Sequence, residues 1–246
     1  EAQNTKSAIQ NLGLCDEIRL KPLGSNESRA LIQARLQLDE SSLKALVDRA
    51  DGNPLFAELL VEHWIREGRL DWTGAGFRVS DLSSNRLPDS VHELWQKRLS
   101  WTGLLDNSHQ QWALEVAATL GQQFWRSTWL SACEIAQIPR SRSILASLEQ
   151  NGLLKREEDG QFCFVHALLN ESILRLASDG QRLRKWHDAC AQSLLKETPT
   201  IWYQVARHQA GAERYEDAVA SLKHDIEHRR TIGDLKGQSE RLIQMI

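Results

Sequence analysis

Asp51-Gly52-Asn53-Pro54-Leu55-Phe56 closes one predicted helix and opens another, and the rest of the chain is read outward from that corner. Upstream, Leu43, Leu46, Val47 and Ala50 fall at the i, i+3, i+4, i+7 positions of an amphipathic helix. Gly52 then supplies the left-handed residue that commonly ends a helix. Asn53 is placed to cap the next helix, and Pro54 stands at its first position, where the missing N–H is no loss. Phe56, Leu60 and Trp64 continue an apolar stripe to a stop at Gly68. A helical hairpin explains all six residues without any ligand.

Before this corner, Glu17 to Leu20 reads as a short strand that turns at Pro22 and Gly24. Ser25 or Asn26 is expected to cap a helix with Leu31, Ala34 and Leu38 as its apolar positions, followed by the helix from about Ser41 to Ala50. After Gly68 the helical period disappears. Leu70 to Thr73, Gly74-Ala75-Gly76 and Phe77 to Ser80 predict a hairpin followed by a polar linker. Leu87-Pro88-Asp89-Ser90 opens a helix carrying Val91, Leu94, Trp95 and Leu99. Further helices are expected at 110–120 (Trp112, Val116, Ala117), 125–135 and 140–150. Leu153 to Val165 then gives the clearest hairpin signal, with Asp159-Gly160 at its turn. Three helices followed by a hairpin is the order of a winged helix. Helices at 168–177 and 182–196 precede Pro199. Beyond it, Trp202, Ala206, His208, Gly211, Tyr215, Ala218 and Leu222 resemble tetratricopeptide-type helical repeats.

The expected fold is therefore mainly α, with a helical module, a winged-helix domain bearing a small β-hairpin wing, and α-helical repeats. The expected segments are 1–68, a hairpin and linker at 69–87, the winged helix with flanking helices at 88–197, and the start of the repeats at 198–246.

The 246 residues are 41% hydrophobic and 26% charged, an ordinary balance for a globular chain. A net charge of −3 offers no global attraction to nucleic acid or an anionic membrane. Cys15, Cys133, Cys163 and Cys190 are widely spaced and form no C-x-x-C pair, which reads as reduced, cytoplasmic cysteine usage. His187 and Cys190 lie three apart on a predicted helix and are a possible metal pair, but two ligands do not make a site. No apolar run is long enough to cross a membrane and no leader opens the chain, so a cytoplasmic protein is expected. The start at Glu1 without methionine, and an end at Ile246 within an apparent amphipathic helix (Leu235, Leu242, Ile243), give the expectation of a fragment.

No G-x-x-x-x-G-K-[S/T] loop is present; Gly233-Asp234-Leu235-Lys236-Gly237 has the wrong spacing for one. No G-x-S-x-G elbow appears either. The chain alone is thus expected to hydrolyse no ATP. Glu157-Glu158 sit at the tip of the expected wing, where solvation explains them. Over 108–166 the basic residues are Arg126, Arg140, Arg142, Lys155 and Arg156, against Glu115, Glu134, Glu149, Glu157, Glu158 and Asp159. A duplex-reading module normally carries a basic face, so DNA binding is not favoured, although Arg140 and Arg142 open the expected third helix. His166 begins a helix after the Phe162, Phe164 alternation. It is either a partly buried histidine bonding to a neighbouring turn or a side chain beside free backbone N–H groups that face an anion.

Taken together, Ile18-Arg19-Leu20-Lys21-Pro22-Leu23, Gly52-Asn53-Pro54-Leu55-Phe56 with Glu58-Leu59, Leu87-Pro88-Asp89-Ser90-Val91 with Arg98-Leu99, and Phe164-Val165-His166-Ala167-Leu168 with Glu171 resemble the C-terminal half of signal-transducing ATPases with numerous domains. The resemblance is to the bacterial branch found in large LuxR-type regulators and in ATPase modules fused to protein kinases or nucleotide cyclases. It implies that 1–68 is the end of an ATPase core and its helical lid. It also implies ATP or ADP with Mg²⁺ as cofactor of a parent protein, bound largely by a nucleotide-binding core preceding Glu1. Gly52, Asn53 and Pro54 would form the lid corner, with Pro54 near the adenine, and His166 would approach the ADP phosphates. Val165 stands where that pattern often has arginine. A protein or small-molecule signal at the repeat region would be the further partner of such a nucleotide-gated switch. The alternatives are a DNA-binding regulator segment and an interaction scaffold without nucleotide.

Overall fold

The computed structural model describes residues 20–80, 88–139 and 142–231. The expected strand at Glu17 to Leu20, Leu87, Arg140 and the segment from Gly233 onward lie wholly or almost wholly outside that range. Among the described residues there are eleven helices and five short strands, so the protein is mainly helical with small antiparallel sheets. Contact density divides the chain into two compact units, 1–90 and 91–246.

The first unit contains α1 (Ser25–Arg35), α2 (Glu40–Ala50), α3 (Pro54–Arg66), β1 (Leu70–Trp72) and β2 (Phe77–Val79). Its core follows the periodicity of the corner helices: Leu43, Leu46 and Leu60 are fully buried and Trp64 is 1% exposed. Each such side chain contributes about 1.5–3 kcal/mol of transfer free energy. The first helix differs from expectation. It starts one residue earlier, because Gly24 N–H donates to Glu27 Oε2 at 2.8 Å and takes the capping role assigned to Ser25 or Asn26. Its inward face runs through Ser28 and Ile32, not Leu31 and Ala34.

Leu38 is buried, but beyond the helix, where it bridges in parallel to Phe77. That bridge docks the β1–β2 hairpin on the start of α2. Phe77 N–H donates to Gln37 O at 2.8 Å and Asp39 N–H to Phe77 O at 2.9 Å, while Val79 N–H donates to Ser42 Oγ at 2.9 Å. Asp39 caps α2 by accepting from Ser42 N–H at 2.9 Å and also receives Arg78 Nε at 2.7 Å. These bonds hold its carboxyl well below the usual carboxylate range, Arg78 contributing most. The hairpin expected at 69–87 is thus packed into the same unit as the helices before it.

The second unit runs α4 (Val91–Ser100), α5 (Ser108–Leu120), β3 (Gln123–Phe124), α6 (Arg126–Ile135), α7 (Arg142–Gln150), β4 (Leu154–Arg156), β5 (Phe162–Phe164), α8 (Ala167–Asp179), α9 (Leu183–Leu194), α10 (Trp202–Gly211) and α11 (Tyr215–Thr231). The expected hairpin forms with Leu154 opposite Phe164 and Arg156 opposite Phe162. A third strand joins it: β3 pairs with β5, giving the antiparallel order β3-β5-β4. Two residues are too few to show an alternating pattern, which is why β3 is invisible in the sequence. The Phe124 ring stacks on Phe162 at 6.0 Å and meets Phe164 at 5.9 Å, tying β3 to β5 through their side chains.

The helix α9 is the centre of this unit, packed against α5, α6 and α10. Trp129 Nε1 on α6 donates to Ala113 O on α5 at 2.8 Å, and Ser193 Oγ on α9 donates to Thr128 O at 2.8 Å. The α10–α11 hairpin turns through Glu213 in the left-handed region (φ 62°) and is joined by Ser221 Oγ donating to buried Gln209 Oε1 at 2.7 Å. This pair is part of the second unit; Val205 and His208 are fully buried, and His208 meets His187 of α9.

Candidate functional site

Gly52, Asn53 and Pro54 adjoin one another at the α2–α3 corner. Asp51 (φ 44°) and Gly52 (φ 72°) are both left-handed, so the chain leaves α2 through two such residues, not one. Asn53 Oδ1 accepts from Phe56 N–H at 3.1 Å and caps α3, with Pro54 at the first helical position as read from the sequence. Asn53 and Pro54 are exposed, whereas Gly52 is buried. The reason is a close passage of the chain: Leu23 N–H donates to Gly52 O at 2.9 Å. A Cβ on Gly52 would lie 2.6 Å from Leu23 O and 2.7 Å from Pro22 Cβ. Glycine is therefore required twice over, by its dihedral and by its neighbour.

His166, in the second unit, is the N-cap of α8, with extended backbone (φ −148°) and Nδ1 accepting from Leu168 N–H at 3.2 Å. Leu169 N–H in turn donates to His166 O at 3.1 Å. The first-turn N–H groups expected to face an anion are thus partly consumed by the histidine itself. Because Nδ1 accepts, the neutral ring carries its proton on Nε2. The half-buried ring lies 6.4 Å from that of Trp95.

The possible His187/Cys190 metal pair does not form. Cys190 Sγ points to Val116 O at 3.9 Å, His187 turns instead to His208, and no group of three or more metal-ligating side chains occurs among the described residues. Cys133, Cys163 and Cys190 are free and buried. Burial pushes the Cys133 thiol up to about 12 and raises that of Cys190 as well, leaving neither a thiolate nucleophile.

Two clusters escape sequence reading. Glu115 has no exposed surface, yet its carboxylate accepts from Arg182 Nη2 at 2.6 Å and Nε at 2.9 Å, Trp186 Nε1 at 2.8 Å and Gln111 Nε2 at 2.8 Å. Four donors from α5, α9 and the turn before α9 converge on one buried charge. Its sequence signal is a glutamate inside the buried run Ala113 to Thr119. The second cluster is His187 and His208, whose Nδ1 atoms lie 2.9 Å apart across the α9–α10 contact.

A shallow groove beside this contact is lined by Gln181, Arg184, Lys185, Asp188, Ala212 and Arg214. Its arginines are answered by carboxylates: Arg184 meets Glu213 at 2.7 Å, and Arg214 meets Asp188 and Asp217, each at 2.8 Å. That leaves little net field for an anionic ligand. No helix among the described residues is long and apolar enough to cross a membrane. Comparison with protein-family models and with curated proteins finds no match for the chain.

Proposed function

We propose that this chain is a regulatory segment of a bacterial, cytoplasmic signalling ATPase, a nucleotide-gated switch that does not itself catalyse. One observation supports the reading most: in the second unit the order α5, β3, α6, α7, β4, β5, with sheet order β3-β5-β4, matches the helix, strand, helix, helix, hairpin order that a winged helix would have. A capped Gly-Asn-Pro corner earlier in the chain and a histidine two residues beyond β5 accompany it, as in the family the sequence resembles. In this reading Gly52, Asn53 and Pro54 belong to a helical lid, and His166 supplies its Nε2–H to an ADP phosphate while Nδ1 keeps its cap. The α10–α11 pair begins the repeats that receive a protein or small-molecule signal. The switch works through differential affinity of ADP for closed and open states.

Direct DNA reading is less well supported. Lys155 on the wing is paired with Glu157 at 2.7 Å, and Arg156 lies over the Phe162 ring, so neither head is left for phosphate without breaking a contact.

The test is ADP retention by the natural protein that carries this chain, measured for wild type, Pro54→Ala and His166→Ala. ADP that co-purifies with wild type and is lost about tenfold or more faster from His166→Ala supports the reading, since a charge-assisted bond contributes about 1.5–3 kcal/mol. A wild-type protein that binds no adenine nucleotide ends it.

A further inference from the structure

The contact between α9 and α10 is polar at its centre. His208 is fully buried, His187 is half-buried, and their rings lie 5.1 Å apart with 44° between planes. On the far side of His208, Arg207 Nη2 lies 3.3 Å from Nε2 and donates also to Leu120 O at the end of α5, at 3.0 Å. A guanidinium can only donate. His208 Nε2 is therefore the acceptor, the proton of His208 sits on Nδ1, and that N–H donates to His187 Nδ1. The proton of His187 is on Nε2. One chain of donors thus runs from Arg207 through His208 to His187, and both acceptor nitrogens are used.

There is no vacant lone pair in this chain. A proton added at His187 Nδ1 sets two N–H groups against each other across 2.9 Å. One added at His208 Nε2 meets the Arg207 guanidinium. The His187 ring has no room to step toward α10, because a Cβ on Gly211 would lie only 2.6 Å from its Cγ.

Among the described residues, no carboxylate hydrogen-bonds either imidazole. On α9, Arg184 and Asp188 are engaged with Glu213 and Arg214, and Lys185 lies over the Trp186 ring. On α5, Glu115 is held by Arg182. On α11, Asp217 pairs with Arg214, Asp225 with Arg229, and His224 stacks on Trp202. The remaining charged side chains of α11, and Arg126 and Glu134 on α6 with Glu171, Arg175 and Asp179 on α8, face solvent or are largely exposed. Arg207 is the charge that acts on the pair.

We propose that His187 and His208 form a proton-sensitive latch, which holds the α10–α11 hairpin on α9 while both rings are neutral and releases it when either takes up a second proton. This does not depend on any nucleotide. Burial first, and Arg207 second, lower His187 to about 4 and His208 to about 3. In the released hairpin the rings return to about 6.5. A histidine lowered on docking binds its proton more readily in the open state, so docking is fully favoured above about pH 6.5 and weakens as pH falls toward the docked values.

The test is amide hydrogen exchange on the full 246-residue chain from pH 7.5 to pH 5, corrected for intrinsic exchange rates. Protection of α10 and α11 is expected to fall at least about tenfold further than that of α5, a proton-linked opening losing up to tenfold per pH unit. His187→Asn keeps an acceptor at the Nδ1 position but cannot titrate, and is expected to reduce the difference to the part that His208 alone contributes. The latch is overturned if α10–α11 tracks α5 in wild type, or if His187→Asn retains the same pH-dependent loss. Should that variant fail to fold, proton–nitrogen correlation spectra of the wild-type imidazoles at pH 7.5 decide: His187 protonated at Nε2 and His208 at Nδ1 supports the latch, and His208 protonated at Nε2 overturns it.

Discussion

Glu115 on α5 and Arg182 before α9 meet through two hydrogen bonds of 2.6 and 2.9 Å, with the carboxylate wholly buried and the guanidinium at the edge of the core. The same arginine donates to Leu176 O at 3.1 Å, so it also fixes the turn out of α8. A single pair thereby ties α5, α8 and α9 together.

Removing one partner leaves a charge or its donors stranded in the core. Glu115→Ala is expected to destabilise the second unit by about 3–5 kcal/mol. The double variant Glu115→Leu/Arg182→Met should recover part of this, since an apolar replacement of a buried pair is often neutral while Trp186 Nε1 still loses its acceptor. Urea unfolding of the three proteins measures both; equal losses in the single and double variants would count against the account.

At the α2–α3 corner two neighbouring residues should respond differently. Gly52→Ala places a Cβ in a left-handed backbone against Leu23 O, and is expected to cost about 2 kcal/mol or more in the first unit. Asn53→Ala removes only a cap, at about 1 kcal/mol, and Asn53→Asp should cost less than that. A Gly52→Ala protein as stable as wild type would show that Pro22 and Leu23 do not press on the corner.

His166 offers a separation of roles. Asparagine can accept from Leu168 N–H as the imidazole does, whereas alanine cannot. His166→Ala is expected to lower the melting temperature and His166→Asn to restore most of it. If ADP retention by the natural protein is lost in both variants, the ring acts on the nucleotide; if retention follows melting temperature, its work is capping.

The first unit should be acid-sensitive through Asp39. Its carboxyl is depressed by Arg78 and by the α2 N–H, so the unfolded chain takes up that proton first. The stability contributed is present above the ordinary carboxylate value of about 3.9 and is lost as pH falls below it. In Asp39→Asn that portion of the acid transition should vanish, as read by circular dichroism titration between pH 5 and 2.

The corner at Gly52 to Phe56 was legible because its signals are local: a positive φ, a cap, a proline and one apolar period. The same holds for the Asp159-Gly160 hairpin. What escaped reading depends on chain that is distant in sequence. Phe77 reaches back to Leu38, Gln123 pairs with Cys163, and Glu115 meets Arg182, none of which leaves a mark in a short window. For Ile32 over Leu31 the difference is one of phase, since the face that packs inward carries Ser28 and Ile32. Of the site residues, Asn53 announces its capping role locally, while His166 caps its own helix through Leu168 N–H, a role that the sequence pattern does not mark.

The crowding at Gly52 bears on how relatives of this chain should be compared when they are aligned. Position 52 is closed to any residue with a Cβ by the Pro22–Leu23 backbone, whether or not a nucleotide is ever bound. A glycine kept there across a lineage would record a steric veto and say nothing of a ligand. Asn53 is different, since aspartate, serine and threonine cap helices too. A lineage that holds asparagine at 53, while its other helix caps drift among those four residues, would carry the trace of selection by something outside the fold.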